Sequence, residues 1–377
     1  MTPTAHTLRG PASGPALPEL SLRQRSVLRG VVRAYLGDAG PIGSELLAHL
    51  LPVKVSPATI RNTLAELAEL GLVDKPHASA GRVPTSRGLR LFVDELSREA
   101  GADDLDAFER RAIEKDVQEA QADRVVRLAS QLLSQHTRQL GFVIPPRLER
   151  VVLRHVSLVR VASERVLAVL VSQAGVAHRR VIEGAGAASQ ADLDRMAALL
   201  CERVVGRTLR EVRERLAEEA RELRGRADAL LQRALEIGTQ VLASDAGEAA
   251  RDLVIETRLA LLEQPEFQDP RRVRDLFEAL ETKEQLLSVL DGLLAEAPPS
   301  AAEEGGPHAA LPSVRVFLGD EAASAGLRHC ALVVSRYGDE RAPLGVLGVI
   351  GPSRMNYSHV IPLVDYLSQV VSHKLGA

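Results

Sequence analysis

A chain of 377 residues with 45% hydrophobic content is long enough for two or three domains, each with its own core. Its net charge of −3 excludes a globally basic nucleic-acid binder, so any DNA contact has to come from a local patch. Two cysteines, 3% aromatic residues and no tryptophan exclude a disulfide scaffold, a multi-cysteine zinc site and single-strand recognition by aromatic stacking.

Residues 1–20 are rich in Pro, Gly, Ala and Thr and lack the apolar centre of a signal peptide, so a disordered tail on a cytoplasmic protein is expected. No run of about 18 apolar residues is present to span a membrane. Residues 21–98 read as three helices, a hairpin and a fourth helix. Leu22, Val27, Leu28, Val31, Val32 and Tyr35 recur at helical spacing until Gly37 and Gly40–Pro41 break the pattern. A short helix over Ser44–Leu51 follows, stopped by Pro52.

Residues 99–206 begin as charged helical sequence and turn at Val151 to alternating β-branched and polar residues. VVLRHVSLVRVAS, RVLAVLVSQAG and VAHRRVIEG read as a three-strand meander, covered by a helix carrying Leu193, Met196, Leu199, Leu200 and Val204. From Leu209 a stripe through Val212, Leu216, Ala220, Leu223, Ala227, Leu230, Ala234 and Ile237 demands a partner helix. Its spacing suits a partner in the same chain and a dimer seam equally. A second amphipathic stretch, Val273–Leu294, ends in PPSAAEEGGPH, a linker by composition. VRVFLG, CALVVSRY and PLGVLGVIG are strands again, and a helix from His359 to Leu375 closes the chain. A half-sheet with a bare edge is a poor free-standing unit. The strands on either side of the helical block are therefore expected to form one α+β domain with that block inserted.

The segment VKVSPATIRNTLAELAELGLV concentrates the functional signals. Ser56 stands at an N-cap and Pro57 at the first helical position, while Gly71 is a natural stop. Ile60, Leu64, Leu67 and Leu70 form the inward stripe. The outward side near the helix start offers Thr59, Arg61 and Asn62, and Arg and Asn are the side chains that fork onto guanine and adenine in the major groove. With the preceding short helix this makes a helix-turn-helix in which Lys54 meets phosphate. LVDKPHASAGRVPTSRG then reads as a wing whose small polar tip, with His77 and Ser79, ends in Arg82 against the backbone or minor groove. Between residues 50 and 93 six basic residues face three acidic ones, a local charge of +3. The competing reading is a winged helix used for protein contact, with Arg61 and Asn62 merely solvated.

SPATIRN (56–62) with ELGLVDKPHASAGRVPTSRGLRLFVDEL (69–96) closely resembles the heat-inducible transcription repressors of the HrcA family. RQRSVLRGVV, QPEFQDPRRVRDLFEALE (264–281) and LGVIGPSRMNYSHVIPLVDYL (347–367) extend the resemblance over Leu22 to Leu375. It implies a multidomain α+β molecule: a winged helix (21–98), a GAF-like antiparallel sheet domain in two parts (99–212 and 308–377), and a largely helical dimerisation domain inserted at 213–307. It further implies a homodimer on double-stranded DNA, bound to the inverted-repeat CIRCE operator ahead of chaperone operons. A groE-type chaperonin is the implied modulator. The alternative is a winged-helix regulator whose GAF-like domain senses a small ligand.

Other constellations are weaker. His77 and His155 have no histidine three or four residues on and no HExxH occurs, so no metal site is expected. Gly345, Gly348 and Gly351 lack a following Lys-Ser/Thr and read as close backbone packing, not a phosphate loop. Arg354, Asn356 and Tyr357 form a polar turn, read as structural with Asn356 as a helix cap. No nucleophile context stands out, so neither catalytic residue nor cofactor is assigned.

Overall fold

The computed structural model describes residues 18–38, 40–52, 55–77, 80–99, 105–146, 151–163, 165–173, 175–183, 188–222, 237, 253–256, 264–281, 287, 290, 314–322, 327–339 and 343–376. The N-terminal unit comprises α1 (Leu22–Asp38), α2 (Ser44–Leu50), α3 (Pro57–Glu69), β1 (Val73–Asp74), β2 (Val83–Pro84) and α4 (Ser86–Glu99). Each of its helices turns one apolar face inward. Val31 and Val32 of α1, Leu47 of α2, Ile60 and Leu67 of α3, and Phe92 and Val93 of α4 are buried together. Outside this core, Glu95 of α4 receives Arg25 at 3.0 Å and Arg29 at 2.9 Å from α1.

Beyond it follow α5 (Ala107–Glu119), α6 (Val125–Thr137), β3 (Leu140–Ile144), β4 (Leu153–Ala162), β5 (Arg165–Ser172), β6 (Ala177–Glu183), α7 (Gln190–Val204), α8 (Leu209–Glu222), α9 (Pro270–Glu281), β7 (Val314–Leu318), β8 (Cys330–Gly338), β9 (Pro343–Pro352) and α10 (Tyr357–Gly376). Four strands form an antiparallel sheet in the order β3-β9-β8-β7. One face, with Val143, Val316, Val333, Leu347 and Val349, packs under α6 and α10 in a core continuous with that of the winged helix. The other face, with Phe142, Ile144, Leu332, Val334 and Ile350, lies against Phe267, Leu276, Leu280, Leu287 and Leu290. α5 is held along α10 by two buried side chains, Ile113 and Val117, and by polar contacts from Glu109 to His359, Tyr366 to Glu114 and Lys374 to the Gln118 carbonyl.

Two expectations are corrected. The meander does not join the later strands: β4, β5 and β6 form a sheet of their own, with a third core built from Val156, Val166, Leu170, Met196, Leu200 and Val212. The strand that does join them is β3, which the sequence pattern missed. All five of its residues are buried, and a strand covered on both faces shows no alternation to read. The expected division at 212/213 lies within the span of α8, and within the expected insertion at 213–307 Leu276, Leu280, Leu287 and Leu290 cover the central sheet. That sheet is apolar on both sides and needs a second cover. Of the stripe begun at Leu209, Val212 and Ile237 enter the third core; the side chains of Leu216 and Ala220 and the positions from Leu223 to Ala234 lie outside the described residues.

Gly345, Gly348 and Gly351 do allow close approach, and the groups that approach include the neighbouring strands: a Cβ at Gly348 would lie 2.3 Å from the Val333 carbonyl oxygen. The Arg354–Tyr357 turn is built by backbone bonds at the start of α10, where the Asn356 carbonyl accepts from Val360 N–H at 2.9 Å and the buried Tyr357 hydroxyl donates to the Ser353 carbonyl at 2.8 Å. The linker at 298–308 and residues 1–17 of the expected tail at 1–20 lie outside the described residues, whereas Leu20 is partly buried against the first core. Among those described, no helix is long and apolar enough to cross a membrane, and no group of three His, Cys, Asp or Glu is placed to hold a metal.

Candidate nucleic-acid interface

The candidate reading helix is α3. Ser56 caps it: its Oγ accepts from the Thr59 N–H at 3.1 Å and lies 2.9 Å from Thr59 Oγ1, and Pro57 follows at the first helical position. Ile60, Thr63, Leu64 and Leu67 are buried. Thr63, which the apolar stripe does not include, is buried with them, and its hydroxyl is satisfied by donating to the Thr59 carbonyl at 3.1 Å. Leu70 instead sits at the C-cap, half-buried, ahead of Gly71 with φ +69°. Because the inner face is occupied, the helix turns Arg61 and Asn62 to the exposed side near its N-terminus, beside Ala58 and Ala65. Glu66 is held back by α1, accepting from Gln24 Nε2 at 2.9 Å.

The wing is a short antiparallel ribbon in which Val73 faces Pro84 and Asp74 faces Val83. Its third strand is the bridge between Ile42 and Arg82, whose backbone groups exchange bonds of 2.8 and 2.9 Å. Arg82 is therefore anchored through its backbone at the root of the wing, with its side chain partly exposed. His77 is exposed at the tip, its carbonyl accepting from Ala80 N–H at 2.9 Å. Lys54 and Ser79 lie outside the described residues. Lys75, part of the positive balance but not among the expected site residues, is exposed just before the tip.

The pattern AGRVPTSRG has a steric explanation. A Cβ on Gly81 would meet the Ile42 backbone at 2.5 Å, and one on Gly88 would meet the Leu72 carbonyl oxygen at 2.0 Å. Thr85 Oγ1 donates to the Gly71 carbonyl at 2.7 Å and accepts from the Gly88 N–H at 3.1 Å, so it caps α4 while closing the wing onto the end of α3. These three residues hold the wing against Ile42, Leu72 and the end of α3.

Comparison with known proteins agrees with this geometry. The family model "Winged helix-turn-helix transcription repressor, HrcA DNA-binding" matches residues 19–95, and "HrcA protein C terminal domain" matches 123–361. A relative from Geobacter sulfurreducens, named heat-inducible transcription repressor HrcA, is 37% identical over 359 residues, covering 95% of this chain and 98% of that protein. One of the same name from Mesorhizobium japonicum is 39% identical over 373 residues, covering 97% and 98%. A crystal structure described as a hypothetical protein shares the fold, with a TM-score of 0.58 at 21% identity over 94% of this chain and 97% of that one. A winged helix with its reading face exposed, matched along nearly its whole length by these relatives, places the chain in the HrcA family of heat-inducible transcription repressors.

Proposed function

We propose that the chain represses chaperone operons in the cytoplasm as a homodimer, each α3 reading one half of an inverted-repeat operator of the CIRCE type. The observation that carries this is the exposure of Arg61 and Asn62 at the N-terminal end of a capped helix whose other face is buried. Lys54, Ser79, His77 and Arg82 are proposed to touch phosphate or minor groove and to fix register. Ser56 and Thr59, bonded to each other, serve mainly to start the helix. A groE-type chaperonin is proposed as the modulator of operator binding. Adding purified chaperonin to a limiting amount of repressor should then raise the fraction of operator bound.

Dimerisation is proposed to use the inserted region at 213–307 together with the outer face of the β4-β5-β6 sheet. There Val159, Leu167 and Val181 form one cross-strand row, and Val159, Val161 and Val181 are 43%, 61% and 54% exposed. This exposed apolar row supports the reading, because apolar side chains grouped on a surface favour burial against a partner.

The deciding experiment is a binding titration of Arg61→Ala and Asn62→Ala on the inverted repeat. Each variant should lose about 1–3 kcal/mol and relax base preference at one position per half-site, with unchanged thermal stability. Wild-type binding by both variants would remove α3 as the reading helix.

A further inference from the structure

The winged helix is not a free appendage. α4 presents Leu89, Phe92 and Val93 to the winged-helix core, and its other side, with Arg90 and Asp94, faces the central sheet. β7 is the terminal strand of that sheet, so among the described residues one row of its backbone groups lacks a strand partner. Arg90 fills this position. Its Nη2 donates to the Val316 carbonyl at 2.7 Å, its Nε donates to Glu321 Oε1 at 3.1 Å, and Nη2 also pairs with Glu321 Oε2. Glu321 is itself fixed, because Oε2 accepts from the Leu318 N–H at 2.9 Å. The guanidinium is thus a two-sided, charge-assisted clamp between a helix of the DNA-binding unit and the sheet edge, with only 18% of its side chain exposed.

We propose that Arg90 and Glu321 are positioning residues for operator recognition. They fix the direction in which the winged helix leaves the core, and through it the separation and phase of the two α3 helices in the dimer. This rests on the dimeric reading above. Each recognition helix is rigid within its own unit, so the geometry of the pair is set by what joins that unit to the dimerising part of the chain. α4 is that joint: its apolar side is held by the core shared with the central sheet, and the Arg90 clamp fixes its angle at the sheet edge.

The test uses the full-length protein on three duplexes: the inverted repeat, the same repeat with its spacer lengthened by about 5 base pairs (half a turn of B-DNA), and a single half-site. Wild type should bind the lengthened repeat about 100-fold more weakly, because both units no longer engage together. Glu321→Ala and Arg90→Glu should cut that discrimination to about tenfold or less while leaving half-site binding unchanged, as a loosened joint tolerates either phase. The double exchange Arg90→Glu with Glu321→Arg should recover part of the discrimination. Variants as discriminating as wild type overturn the proposal alone, and so does half-site binding that falls in step with full-site binding. A wild type indifferent to spacer length overturns the dimeric reading and this proposal with it.

Discussion

Thr85 Oγ1 lies 2.7 Å from the Gly71 carbonyl oxygen, across 14 residues of chain, and joins the exit of the wing to the C-terminus of α3. The same hydroxyl caps α4 through Gly88. Thr85→Val keeps the shape but removes both bonds, and should lower unfolding stability by about 2 kcal/mol, whereas Thr85→Ser should stay near wild type. Gly88→Ala should cost about 4 kcal/mol or more, since its Cβ would meet the Leu72 carbonyl backbone and neither partner can yield. Denaturant unfolding of the three variants checks both statements.

The two cysteines should differ sharply in reactivity. Cys330 is buried in the second core, and desolvation pushes its thiol up to about 12. Cys201 is partly exposed, with Sγ 3.6 Å from His155 Nδ1. An aromatic disulfide reagent at about pH 8 should therefore modify one thiol per native chain, and the second only in denaturant. Cys201→Ser should abolish the native reaction.

Acid should weaken the three-stranded unit through His178. Burial on β6 lowers its pKa below the ordinary 6.5, so the folded chain binds fewer protons than the unfolded chain once the pH drops below that value. The stability supplied by the neutral ring is present above 6.5 and is lost as the pH falls through the lowered folded value. His178→Gln should flatten this part of the acid profile and change little at about pH 8. Denaturant midpoints measured between about pH 8 and 5 give the slope; an unchanged slope would assign it to another group.

If the β4-β5-β6 face joins two copies, Val181→Lys should convert the dimer to a monomer. Val181 is 54% exposed in the single chain, so the charge has no core to disrupt and the circular dichroism spectrum should not change. Light scattering on the eluting protein reads the mass directly. A persistent dimer would move the contact to another surface.

How far the sequence could be read depended on how local the determining interactions were. Ser56, Pro57 and the Ile60, Leu64 and Leu67 spacing announce α3 because capping and helical periodicity act within a few residues. Thr63 escaped notice because a polar residue is buried there only by bonding to the turn below it. The wing motif was recognisable as a pattern, yet its reason was not: Gly81 is required by Ile42, and Gly88 by Leu72, across chain separations that no local rule spans.

By itself, the sequence determined the winged helix, the outward placement of Arg61 and Asn62, the three meander strands and the closing helix, all set by local capping, turn chemistry and hydrophobic period. Only the tertiary structure decided which strands pair. It left β4-β5-β6 as a sheet apart, drew the uniformly apolar β3 beside β9, and laid α9 on the second face of the central sheet. It also brought Arg90 to the open edge of β7, 226 residues further along the chain at Val316. Pairing and docking depend on which apolar faces remain uncovered once every element has formed, and that is a property of the whole chain.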